Sequence, residues 1–196
     1  IVDGTVVIAD VADNAGGGAP SDSSFVLERM IGRGIRNAAF GYVWDPVAVN
    51  LCREAGEGAV IDLRICGKLG PASGRPIDLR GTVRRIIIDH SQTGLGGTPA
   101  PLGDSVWFDA DGIDIVLNSA RSQPFDPDGF TRLGIPLAER KLIVLKSMQH
   151  FYAGFAPLAK EVLYVTTPGA IPPDFATLPL TKRSTPWWPK VADPHG

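Results

Sequence analysis

The chain has 196 residues, 44% hydrophobic and 20% charged, a composition that folds rather than stays disordered. Nineteen basic side chains against 21 acidic ones leave a formal charge of −2, which argues against a generic polyanion or nucleic-acid binder because no large basic excess exists to displace phosphate counterions, a local basic patch aside. No apolar run reaches the roughly 18 residues of a spanning helix, so no membrane is expected as a partner.

The length fits one domain over 1–196. The chain opens on Ile1 rather than Met and enters a strand at once, which reads as a cut-out domain, a processed product or a proteolytic fragment. Thr5 to Val11 is a nearly continuous apolar run, as in a strand covered on both faces. A glycine loop follows. Ser21 reads as an N-cap and Asp22 as a first-turn acid for a helix to about Arg33, stopped by Gly34. Ala38 to Trp44 is a second buried strand. Asp45 and Pro46 have the cap and first-turn chemistry of a helix ending at Gly56. This β-α-β-α rhythm implies parallel strands.

The rhythm then changes. Ile61, Leu63 and Ile65 alternate with Asp62 and Arg64, and Ile77 to Asp89 is a long β stretch. His90 to Asp104 is polar and rich in Gly and Pro, and reads as a functional or mobile loop. Asp111-Gly112 between two apolar runs is a strong hairpin signal. The α/β pattern returns with a short helix from Asp126, a buried strand at Leu142 to Lys146, an irregular helix at His150 to Lys160 and a strand at Val162 to Thr166. A Pro-rich tail with Trp187 and Trp188 closes the chain. The expected fold class is α/β: a mixed sheet with flanking helices and an antiparallel, hairpin-containing middle section.

Chemistry concentrates at two strand ends. After the first strand come Asp10, Asp13, Asn14, Gly16, Gly17 and Gly18. Amides of such a loop are expected to point outward and favour an anion or a developing oxyanion. The same glycines also suit a plain tight turn. The two aspartates could bind a cation, orient a histidine or cap loop amides. The loop matches neither the dinucleotide nor the P-loop pattern. After the later strand come Lys146, Gln149 and His150. His150 reads as a proton carrier or a helix-start cap, whereas His90 and His195 read as solvated. No zinc-ligand spacing and no serine nucleophile elbow exists. Cys52 and Cys66 read as reduced, buried thiols, and a reducing cytoplasm is the expected setting.

These residues form recognisable blocks. Asp10-x-x-Asp13-Asn14-x-Gly16-Gly17-Gly18-x-x-x-Asp22 resembles the opening signature of the C-terminal domain of the microcystinase C (MlrC) family. Trp44-Asp45-Pro46, Leu133-Gly134-Ile135 before Lys146-Ser147-x-Gln149-His150-Phe151, and Thr167-Pro168-Gly169 with Trp188-Pro189 resemble it further. Ala15, where proline is expected, and Met148, where a small residue is commoner, are mild departures. The resemblance implies a zinc metallopeptidase-like hydrolase whose larger N-terminal domain carries the zinc-binding residues.

The reading that follows is a hydrolase half. Zinc would be held by the missing N-terminal domain, which would be the chief partner, beside a small peptide or amide substrate and a possible second copy of the chain. Asp10, Asp13, Asn14, Gly16, Gly17, Gly18, Lys146 and Gln149 are expected to bind substrate, and His150 to be catalytic. No metal ligand is expected in this chain, which alone should be inactive. Two other readings stand beside it: a small-anion-binding module without chemistry, and a structural or oligomerisation domain whose tail packs on a neighbour.

Overall fold

The computed structural model of the chain describes residues 3–195. Eight strands form one mixed sheet: β1 (Val6–Asp10), β2 (Ala38–Trp44), β3 (Val60–Ile65), β4 (Ile77–Thr93), β5 (Pro99–Ala110), β6 (Ile113–Asn118), β7 (Leu142–Leu145) and β8 (Glu161–Val165). Their order across the sheet is β3-β4-β5-β6-β2-β7-β1-β8. From β6 to β8 the neighbours run parallel, and from β3 to β6 they run antiparallel. The α/β expectation with an antiparallel middle therefore holds.

The helices divide between the two faces. Helices α1 (Phe25–Gly32) and α2 (Pro46–Ala55) set Leu27, Met30, Val49 and Cys52 into one core with Phe40, Ile115 and Val144. The single turns α3 (Asp128–Thr131) and α4 (Tyr152–Phe155) set Phe130 and Phe155 into the opposite core with Ala9, Tyr42 and Leu145. This division decides where a site can form. β1 and β7 are parallel neighbours, yet β1 continues into the face of α1 and β7 into the face of α4. Adjacent connections that leave in opposite directions open a crevice at the carboxyl ends of their strands, the usual ligand position of open α/β sheets.

Local signals were followed where no competitor existed. The Asp45 carboxylate caps α2 by accepting from Ala48 N at 3.1 Å, with Pro46 in the first turn. Asp111 and Gly112 both have positive φ, 54° and 77°, as the two-residue hairpin turn requires. Gly154 and Pro157 keep α4 to one turn followed by a tighter one.

Three expectations are corrected. Helix α1 begins at Phe25, and Ser21 is not its cap. Ser21 has φ 65° and its amide donates to Asp13 at 2.9 Å, while Asp22 accepts from Lys68 N, Leu69 N and Ser73 Oγ. Asp13 thus holds Ser21 and Ser23 in a turn that precedes the helix, and Asp22 is spent on the 68–73 segment instead of the helix start. His90 to Asp104 is not a long loop: β4 and β5 extend through it, leaving a tip at 94–98. His90 is accordingly not solvated; it is buried in β4 with Nε2 3.0 Å from Gly129 O, and burial pulls its pKa below the ordinary imidazole value. Among the described residues no helix is long and apolar enough to cross a membrane.

Candidate functional site

The floor of the β1/β7 crevice is an ion cluster. Lys146, the first residue beyond β7, is fully buried, as is Asp10; Asp13 is 1% exposed. Lys146 Nζ donates to Asp13 Oδ2 at 2.7 Å, Ser23 O at 2.8 Å and Ser23 Oγ at 2.9 Å, which uses all three ammonium protons. Asp10 Oδ2 lies 3.6 Å from the same nitrogen. Burial pulls the Lys146 pKa down, but Asp13 and Asp10 raise it by more, so the ammonium is held above its ordinary value. Asp13 also accepts from Ser21 N at 2.9 Å and Ser23 N at 2.8 Å. Asp10 Oδ1 accepts from Thr167 Oγ1 at 2.9 Å, which ties the start of the tail to the floor. Ile171 N continues that tie by donating to Ala12 O at 3.1 Å.

Above this floor stands the glycine loop. Gly16, Gly17 and Gly18 are exposed, and Asn14 is buried. The amides do not point outward as expected. Gly16 N donates to Asn14 Oδ1 at 3.0 Å, Gly17 N to Asn14 O at 3.0 Å, Gly18 N to Ala15 O at 3.0 Å and Ala19 N to Asn14 O at 3.2 Å. The loop is a self-satisfied turn that presents glycine surface, not a cradle of free donors. Gly18, at φ 97°, is the position where that turn needs a left-handed residue.

The opposite rim carries Gln149 and His150, both exposed, anchored by the buried Phe151 beside them. Gln149 Oε1 accepts from Tyr164 Oη at 3.0 Å, and the Phe125 ring lies 6.0 Å from the imidazole. Gln123 joins the two rims. It is 6% exposed, its Nε2 lies 3.0 Å from His150 Nδ1, and Ser147 Oγ lies 3.4 Å from its Oε1. A Cβ on Gly16 would collide with the same amide, so the glycine loop rests directly on Gln123.

The structure therefore brings the expected residues to one crevice but at two depths. Asp10, Asp13 and Lys146 lie in the floor, out of solvent. Gly16, Gly17, Gly18, Gln149 and His150 line the accessible rim, and Asn14 shapes the loop from within. Sequence reading missed Gln123 and Ser23 and gave no site role to Ser147 and Thr167, although both stand in the family-like blocks. The partners of each come from distant segments.

Among the described residues no group of three or more His, Cys, Asp or Glu side chains is placed to hold a metal ion. The carboxylates that could begin such a group, Asp10 and Asp13, already share Lys146. The donor set of the described residues does not fit a resident metal. Both cysteines are buried and unpaired, with burial pushing each thiol up to about 12.

A family model described as MlrC C-terminus matches residues 8–182. The chain belongs to the MlrC C-terminal family. Microcystinase C of Sphingomonas sp is 36% identical over 184 residues, covering 94% of this chain and 35% of that protein. The crystal structure of a metallopeptidase-like protein from Mesorhizobium sp. BNC1 superposes with a TM-score of 0.81 at 26% identity, over 95% of this chain and 38% of that one. The chain thus spans about a third of the length of each of these two proteins. A hydrolase-like domain is what the family and this neighbour support.

Proposed function

We propose that this MlrC C-terminal domain supplies one wall of the active cleft of a metal-dependent peptide or amide hydrolase. The metal, which we take to be zinc, would be held by residues outside this chain, in an N-terminal domain of the kind that occupies the rest of the relatives' length. When bound there, such an ion supplies Lewis acidity and lowers the pKa of water. The residues of this chain bind and orient.

The observation that carries this reading is the exposed imidazole of His150, fixed by Gln123 directly across from the glycine loop, at the strand ends where the crevice opens. Gly18 faces open space, where an extended substrate backbone can approach closely, while Gly16 and Gly17 pack on Gln123 and Ile171. Gln149 offers an amide to the substrate's polar groups. His150 offers a ring nitrogen that can exchange a proton or hydrogen-bond to the acyl oxygen. Asp10, Asp13 and Lys146 act from beneath, holding the ends of β1 and β7 at a fixed spacing. The reading of a small-anion cradle is disfavoured by the inward amides of Gly16, Gly17 and Gly18.

The test compares two proteins on short linear peptide amides with added zinc: the full-length protein and this chain alone. The expected result is zinc-dependent turnover by the first and none by the second. Turnover by this chain alone, or none by the full-length protein with any of zinc, manganese or cobalt, overturns the reading.

A further inference from the structure

We propose that Gln123 is a positioning residue that fixes His150 in the tautomer whose free nitrogen carries the proton, so that the imidazole meets the cleft as a hydrogen-bond donor. The chemical role of that donor rests on the hydrolase reading above; the tautomer itself does not.

The geometry is specific. Gln123 is almost fully buried and comes from the irregular segment between β6 and α3, distant in sequence from both rims. Its amide has one oxygen and one nitrogen end. The oxygen faces Ser147 Oγ, a fully buried hydroxyl, at 3.4 Å. The nitrogen faces His150 Nδ1 at 3.0 Å. An amide N–H can only donate, so Nδ1 must accept and carries no proton. In the neutral ring the proton then sits on Nε2, the nitrogen with no partner on this side of the cleft. Such a partner at one ring nitrogen is the general means by which proteins choose the function of the other.

Gly16 completes the arrangement. The amide is pressed against this glycine so closely that a methyl group there would displace it. The glycine loop and the histidine tautomer are therefore linked through one side chain: moving the loop moves Gln123, and moving Gln123 frees Nδ1. This gives Gly16 a reason to be glycine besides its place in the turn, since its backbone has no positive φ to demand one.

The linkage is read by nitrogen NMR of the full-length protein labelled at histidine side chains, at a pH where the imidazole is neutral, with His150→Gln used to assign the signals. Expected is a proton-free, acceptor-type Nδ1 and a proton-bearing Nε2 for His150. Gln123→Glu, whose carboxylate can only accept, should invert the pattern and place the proton on Nδ1. Gly16→Ala leaves Gln123 chemically intact but pushes it away, and should give averaged signals from two exchanging tautomers. Should Gln123→Glu not fold, the Gly16→Ala comparison and the wild-type pattern still decide. A proton on Nδ1 in the wild type, or an unchanged pattern in Gly16→Ala, overturns the proposal. If the tautomer pattern is as stated but His150→Ala leaves turnover intact, the hydrolase role falls while the positioning role stands.

Discussion

The ends of β1 and β7 carry one set of polar residues, the few positions beyond β7 another, and the structure uses the two oppositely. Asp10, Asp13 and Lys146 are closed from solvent and saturated with one another. Gln149 and His150, three and four positions beyond Lys146, are exposed and held from one side only. Depth separates the part that holds the crevice from the part that can touch a ligand. A buried cation with all its protons engaged cannot greet a substrate without breaking its ion pairs, whereas an exposed ring with one nitrogen fixed is ready to.

The comparison is sharpest at its centre. Lys146→Met removes the charge that balances two buried carboxylates, and leaving such charges unpaired costs about 3–5 kcal/mol. The urea midpoint should fall accordingly, and a drop under about 1 kcal/mol would mean that the cluster is not the support described here. Alkaline pH attacks the same interior. Burial pushes the Cys52 and Cys66 thiols up to about 12, and Lys146 is held above the ordinary lysine value. Each group binds its proton more tightly folded than unfolded. Each therefore contributes stability that is complete below its unfolded pKa, about 8.5 for a thiol and about 10.4 for lysine, and that is lost as pH rises through the folded value. Urea titrations should show stability falling from about pH 9 upward, with Lys146→Met lacking the lysine's share of the slope.

Smaller changes refine the border between floor and rim. Ser23→Ala takes one acceptor from Lys146 and the hydroxyl that donates to Asp10 at 3.3 Å, and should cost about 1–3 kcal/mol by leaving buried groups short of partners. Gly18→Ala meets open space but keeps φ 97°, so its cost should be about 1 kcal/mol, from backbone strain alone. At the far end of the scale, Trp188→Ala should change stability by less than about 0.5 kcal/mol, because that ring is 68% exposed. Its neighbour Trp187 is half-buried and lies under the cations of Arg183 and Lys190 at 5.6 and 4.5 Å, contacts within the tail itself. Thermal melts of the three variants check the ranking.

Strands were legible in the sequence where burial repeats: the apolar runs at β1, β2 and β7 and the Asp111-Gly112 hairpin follow from local pattern alone. So was the meeting of Asp10 to Gly18 with Gln149 and His150, because parallel strands put their carboxyl ends on one edge. What local pattern could not carry was the competition between segments. Ser21 has cap chemistry, but Asp13, eight residues earlier, claims its amide. The polar, glycine-rich stretch after His90 is drawn into the sheet by register with β5, which buries the histidine beneath α3. Outward loop amides were expected from glycine content, yet Asn14 and Ala15 sit close enough to satisfy them. Gln123 had no local signal at all, since its importance arises only once β1 and β7 have set Gly16, Ser147 and His150 around it.

The separation of a supporting floor from a working rim is tested most directly by His150→Ala in the full-length protein, with kcat and the melting temperature measured on the same preparation. Loss of a positioned proton-exchanging group should lower kcat by roughly 10²-fold, while removal of an exposed side chain should leave stability within about 0.5 kcal/mol of the wild type. An unchanged kcat, or a fall in kcat matched by a fall in melting temperature as large as that of Lys146→Met, would contradict the account.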